Sequence, residues 1–121
     1  YPIFLRRFTD KIDAGFDLDD CHIWTGALSD EGYGTFRVLK HNVRAHRVAW
    51  LLRYGDTLGD RFLDHIWPLC QGRWCVNTGH LEPVTNAENS RRATAIGKLN
   101  QRALRSQLLI ERRQTREREA F

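Results

Sequence analysis

"DHIWPLCQGRWCVNTGH", residues 64–80, holds two of the chain's three cysteines and two of its five histidines. Cys70-x4-Cys75-x4-His80 sets two thiolates and an imidazole within eleven residues, and Cys21 is available upstream as a fourth ligand. Soft sulfur joined by nitrogen in a four-ligand set favours zinc, and a closed set favours a structural role. The competing reading is three small buried hydrophobes. Three cysteines are too few for a disulfide framework and the odd count leaves one over, so a metal site in a cytosolic protein is expected.

The flanks give this stretch its place in a fold. "RFLDHI" (61–66) reads as a short strand and "LEPV" (81–84) as another, with Pro83 suited only to an edge. Thr85 with Glu88 three residues on forms a capping box, so a helix is expected to begin there and run through "SRRATAI", weakening at Gly97. A second helical stretch follows over about 99–118, free to pack on the domain, pair with another chain or follow DNA. The order from residue 62 is therefore strand, cysteine-containing loop, strand, capped helix.

That order has a chemical logic. Asn89 lies one turn into the capped helix, within reach of the preceding hairpin, which carries Asp64 and His65. Neighbours on a strand point to opposite faces unless the strand ends or bends. One carboxylate and one amide oxygen make a hard partial site suited to Mg²⁺ or Mn²⁺, completed by waters and phosphate. An imidazole beside it can take a proton from water near neutral pH. These are the parts of metal-assisted phosphodiester hydrolysis.

Upstream, residues 3–12 have helical spacing in Phe4, Phe8 and Ile12. "CHIWTGALSDEGYGTFRVLK" (21–40) reads as a β-hairpin turning at "SDEG", with "HIWT" and "YGTFRVL" as its strands. "VRAHRVAWLLRYG" (43–55) is a helix with Val43, Ala45 or His46, Val48, Ala49 and Leu52 on one side and Gly55 ending it. His46 is open to three roles: a core histidine, a zinc ligand in place of Cys21, or a phosphate contact. His22 and His41 read as ordinary polar residues. Trp24, Trp50, Trp67 and Trp74 suit packing, with Trp74 beside Arg73 also placed to touch DNA.

The 121 residues fit one domain, possessing too little core to make a metal staple superfluous. No run of about 18 apolar residues exists and the first eight residues carry two arginines, so neither a membrane span nor a secretory signal is expected. Charge is uneven: nine Lys/Arg face four Asp/Glu from Ala87 onward, against ten and eleven before it. A basic C-terminal end suits contact with phosphates, and equally a solvated helix.

The segment "DH…C…CVN..HLEPVTNAEN" resembles the HNH endonucleases of the ββα-metal superfamily, in particular the phage and intron-encoded branch whose motif ends in "HLExVTxxEN". The upstream "CHIWTGA…GYGTFRV…AHRVAW" is similar to that branch as well, and the resemblance spans about residues 5–92. It implies an α+β fold: a zinc-stabilised HNH domain over 1–96 with its ββα-metal core at about 62–96, an upstream hairpin and helix, and a basic helical extension over 97–121. It implies His65 as general base, with Asp64 and Asn89 holding the catalytic Mg²⁺ or Mn²⁺. Asn77, the middle letter of the motif, would brace the loop and so orient the histidine. His80 would join Cys21, Cys70 and Cys75 on the structural Zn²⁺. The chain departs from the branch at "IWPL", three residues longer than usual between His65 and Cys70, which could draw Cys70 off the zinc. "CVNTGH" also stands where "CVNP.H" is usual.

The implied activity is a DNA endonuclease or nickase leaving 5′-phosphate and 3′-hydroxyl ends, working as a monomer or homodimer in the cytoplasm of a bacterial host and encoded by a phage. Arg73, Arg91, Arg92, Lys98 and Arg102 are the candidate nucleic-acid contacts. The alternative is a non-catalytic zinc-stabilised nucleic-acid-binding module, and RNA stays open as a substrate.

Overall fold

A computed structural model describes residues 2–70, 72–92 and 96–120. Its elements in chain order are α1 (Pro2–Thr9), β1 (Ile12–Asp13), β2 (Ile23–Trp24), β3 (Thr35–Val38), β4 (His41–Arg44), α2 (Ala45–Tyr54), β5 (Phe62–His65), β6 (Leu81–Val84), α3 (Asn86–Arg92) and α4 (Gln101–Glu119). Single 3₁₀ turns cover Thr78–His80 and Ile96–Lys98. Among the described residues the strands pair antiparallel as β1–β2, β3–β4 and β5–β6, so the architecture is a small α+β fold. No helix among them is long and apolar enough to cross a membrane.

The core forms where the aromatic residues of three elements meet. Phe8 of α1 lies 5.1 Å from Trp24 of β2 and 5.3 Å from Phe36 of β3, ring centre to ring centre. Trp24 meets Phe36 edge-on at 5.7 Å. Removing each such ring from water contributes about 3 kcal/mol. Trp74, Cys70, Cys75 and Val76 close this cluster from the cysteine loop.

Two of the expected upstream elements form differently. Helix α1 stops at Thr9, and Ile12 becomes a strand residue paired with Trp24. "SDEG" does turn the chain, with the Ser29 amide donating to the Tyr33 carbonyl at 2.8 Å. The two arms pair with each other next to the turn, through an antiparallel bridge of Leu28 with Gly34 and the Thr35 amide donating to the Ala27 carbonyl at 2.9 Å; farther out, β2 pairs with β1 and β3 with β4. Leu39 and Lys40 reverse the chain between β3 and β4 with φ of 48° and 71°, left-handed values carried without glycine or asparagine. Ile23 and Trp24 are fully buried in this arrangement, with Trp24 packed on Phe8.

The helix over 45–54 forms as expected, and Gly55 ends it at φ 65°, donating to the Leu51 carbonyl. Strands β5 and β6 form the expected hairpin in the register Asp64 to Glu82 and His65 to Leu81, with Pro83 in a two-stranded sheet where each strand is an edge. The Thr85 hydroxyl accepts from the Glu88 amide at 3.2 Å, starting α3. The return half of the box is not made among the described residues, because the Glu88 carboxylate pairs with Arg91 and Arg92 instead. The expected continuation of α3 over 93–95 lies outside the described residues, and Gly97 falls in the 3₁₀ turn after it.

Of the three roles open to the last helix, the structure shows packing on the domain. Leu104, Leu108 and Leu109 lie against the core. Arg105 donates to the Trp24 and Gly26 carbonyls at 2.9 and 2.8 Å. Buried Arg112 donates to the carbonyls of Asp13 and Cys21 at 2.9 and 2.6 Å and to the Asp13 carboxylate at 3.0 Å.

Candidate metal centre and cleft

Cys21 reaches the cysteine loop because residues 22–24 run antiparallel to 74–76. The Trp24 amide donates to the Trp74 carbonyl at 3.0 Å, and the Val76 amide to the His22 carbonyl at 2.8 Å. The "IWPL" insertion does not displace Cys70: its amide closes on the Ile66 carbonyl at 2.7 Å, while Trp67 and Leu69 project outward. The ligand atoms of Cys21, Cys70, Cys75 and His80 then all lie within 4.8 Å of one another.

The edge lengths fit a metal. Cys21 Sγ to Cys70 Sγ is 3.9 Å, and His80 Nδ1 stands 3.6 Å from both Cys21 Sγ and Cys75 Sγ. A tetrahedron with ordinary Zn–S and Zn–N bonds has edges of about 3.8 and 3.6 Å. His80 Nε2 donates to the Asp19 carbonyl at 2.8 Å, which leaves the Nδ1 lone pair facing the sulfurs. Without a cation the trio does not support three thiolates. The contact with Cys70 draws the Cys21 thiol below its usual range and pushes Cys70 up, and burial raises Cys75 to about 12. These four residues could hold a metal ion such as zinc.

Asn77 fixes the surrounding loop with its whole side chain. Its amide donates to the Leu18 and Asp20 carbonyls at 3.1 and 2.8 Å, and its oxygen accepts from the Gly79 amide at 2.9 Å. It therefore clamps the segment just before Cys21 to the turn that carries His80.

A cleft of about 690 Å³ opens beside this centre, lined by Asp64, His65 and Asn89 together with Glu82, Arg92, Tyr33, His46, Arg44, Arg47 and Arg73. Adjacent Asp64 and His65 both border it because β5 ends at His65. The His65 ring is 5% exposed and donates from Nε2 to the Cys75 carbonyl at 2.9 Å. A carbonyl only accepts, so Nε2 carries the proton and Nδ1 keeps a lone pair. Burial lowers the His65 pKa to about 4, so the ring is neutral at pH 7.

One side of the cleft is acidic. Arg92 spans Glu82 at 2.7 Å, Glu88 at 2.8 Å and Asp64 at 3.4 Å. Burial nonetheless pushes the Asp64 carboxyl above its usual range, with Arg92 working against the shift. Basic and aromatic residues share the lining. Arg44 and Arg73 each lie 5.0 Å from the Tyr33 ring centre. His46 stacks on Tyr33 at 5.5 Å and lies 4.9 Å from His65. His46 is thus outside the cysteine cluster, and its buried Nδ1 has no hydrogen-bond partner.

The expected nucleic-acid contacts divide. Arg73 and Arg92 border the cleft, whereas Arg91, Lys98 and Arg102 do not. Arg91 pairs with Glu88, and Arg102 donates to the Leu28 and Ser29 carbonyls at 3.2 and 3.3 Å. The sequence reading missed Tyr33, Arg44 and Arg47. The only signal for them was the basic, aromatic character of "GYG" and "VRAHR", which carries no spacing rule.

No protein-family model matches the chain, and no curated protein or solved structure matches it.

Proposed function

We propose that the protein is a metal-dependent endonuclease of the HNH type, with DNA as its substrate. The observation that carries this reading is that Asp64 and His65 on β5 and Asn89 on α3 border one cleft, with a zinc-compatible cluster built into the loop between the two strands. The strand, loop, strand, helix order of 62–92 is the order a ββα-metal core requires.

In this reading Asp64 and Asn89 hold Mg²⁺ or Mn²⁺, whose positive charge would stabilise the phosphate and the departing 3′-oxygen. Both residues line the same cleft, and the Asp64 contact with Arg92 is long, at 3.4 Å. His65 takes the proton of the attacking water on Nδ1. Its Nε2 proton, committed to Cys75, fixes that tautomer and holds the ring in place. Asn77 acts at a distance, by holding the loop that contains the Cys75 carbonyl.

The test is supercoiled plasmid incubated with Mg²⁺ or Mn²⁺, with the ends mapped. Nicked or linear product carrying 5′-phosphates supports the reading. Binding without cleavage by wild type in either ion would instead favour the zinc-stabilised binding module.

A further inference from the structure

We propose that Arg44 and Arg73, gathered on the ring of Tyr33, form a phosphate clamp that takes a backbone phosphate of the bound nucleic-acid strand. This deepens the endonuclease reading and rests on it for the identity of the polymer. The clamp lines the same cleft as Asp64, Glu82 and Arg92, so a strand entering the cleft meets Arg44 and Arg73 as well as the carboxylates.

The two guanidiniums are held in place yet weakly neutralised. Their shared neighbour is Glu31, whose carboxylate reaches Arg44 only at 3.9 Å, with both side chains exposed. A contact so long and so wet contributes little and exchanges readily. Arg73 meets the Glu31 backbone instead, donating to its carbonyl at 3.1 Å, and its Nε is buried without a hydrogen-bond partner among the described residues. A buried donor without an acceptor is unfavourable. Turning the guanidinium off the Glu31 carbonyl would present Nε and Nη together, the edge that grips a phosphate through two parallel hydrogen bonds.

The site is also shaped. A Cβ added at Gly97 would fall 2.6 Å from Arg73 Nη2, so glycine there leaves room for the guanidinium over Tyr33. Arg47 adds a third cation to the same wall, with no carboxylate in ion-pair range among the described residues. Paired guanidiniums on one ring suit an anion with several oxygens, such as a phosphate.

The decisive experiment measures anisotropy of a fluorescent DNA duplex against salt, using zinc-loaded full-length protein without added Mg²⁺ or Mn²⁺. Each phosphate contact contributes about 0.9 to the slope of log affinity against log salt. Combining Arg44→Gln and Arg73→Gln should flatten the slope by about two such contacts and weaken binding about tenfold or more. Arg113→Gln, on the exposed part of α4, should leave both unchanged. Thermal melts of each variant identify any that lose binding through unfolding.

An unchanged slope and affinity in the double variant would overturn the clamp, as would failure of wild type to bind duplex DNA. A plasmid assay run alongside separates the two readings. Wild type that binds through the clamp but never cuts refutes the nuclease and leaves the clamp standing. Variants that cut and bind as wild type refute the clamp and leave the nuclease standing.

Discussion

His65 donates its Nε2 proton to the carbonyl of Cys75 at 2.9 Å, so the candidate base hangs from a residue whose sulfur belongs to the metal cluster. The loop that carries three of the four candidate zinc ligands thereby sets the His65 tautomer. If His65 is the base of the proposed reaction, damage to the cluster should reduce cleavage through the Cys75 carbonyl.

The first consequence concerns zinc. Wild type is expected to carry about one zinc per chain, and Cys75→Ser or Cys70→Ser to lose most of it. Structural zinc commonly provides several kcal/mol of folding free energy, so the variants should melt well below wild type. A strong chelator should lower the melting temperature of wild type and hardly change that of Cys75→Ser. Elemental analysis and calorimetry check both. Full zinc content in Cys70→Ser would show that the long loop does leave Cys70 outside the ligand set.

His65→Ala should reduce plasmid cleavage by about 10²–10⁴-fold while duplex binding stays near wild type. The pH dependence follows from burial. With a pKa near 4 in the fold against 6.5 for an ordinary histidine, the base form is complete down to about pH 5. Cleavage should stay level from pH 8 to about pH 5.5 and fall only below that. Between about 4 and 6.5 the unfolded chain binds more protons at this position than the folded one, so its contribution to stability declines as pH falls through that window. A rate that halves near pH 6.5 would show an ordinary, hydrated imidazole.

Asp13 is the joint between the last helix and the rest. Its carboxylate receives Arg112 at 3.0 Å and Arg116 at 2.8 Å, and Arg112 goes on to the Cys21 carbonyl. Asp13→Asn should cost about 2 kcal/mol in chemical denaturation, the range for a partly buried charge-assisted pair. The bond to Arg116, chiefly, lowers the Asp13 pKa from 3.8 to about 2. A depressed carboxylate pKa gives stability that is complete above pH 3.8 and is lost as pH falls through 2. Wild type should lose that increment in acid, whereas Asp13→Asn, lacking the group, should not.

How much of this the sequence disclosed follows from the range of each interaction. Thr85 with Glu88, Gly55 and the β5–β6 pattern are local signals, and the elements they mark formed where expected. The Cys70, Cys75 and His80 spacing is nearly local, and the one remote member, Cys21, was the only cysteine left. The β1–β2 pairing was hidden because it depends on Trp24 preferring Phe8 and Trp74 to its neighbour in the chain. The turn at Leu39–Lys40 was hidden because neither residue signals a left-handed φ. The charge of the last helix suited phosphate contact or solvent, and neither reading singles out Arg112, which is buried at 9% exposure. The basic wall made by Tyr33, Arg44 and Arg73 joins three separate segments, which no periodicity brings together.

Gly32 gives the most direct test of how α4 docks. Its φ is 92°, and a Cβ there would fall 2.3 Å from Gln101 Cβ, which cannot swing away because Gln101 is the first residue of the helix. Gln101 also accepts the Arg73 amide on its side-chain oxygen at 2.7 Å and the Trp74 indole on its carbonyl at 2.9 Å. Gly32→Ala therefore faces both a left-handed backbone and a collision, for a loss of about 2–4 kcal/mol. The shift should be transmitted to Arg73 and Trp74, so indole fluorescence should report the change along with the melting temperature. Gly55→Ala makes the comparison, since φ is 65° there but no atom lies within 4 Å of the added Cβ. It should lose only about 1 kcal/mol, the conformational part alone, and leave the fluorescence of Trp74 as it was. Equal losses at the two glycines would mean that α4 does not press on the 29–33 turn as described.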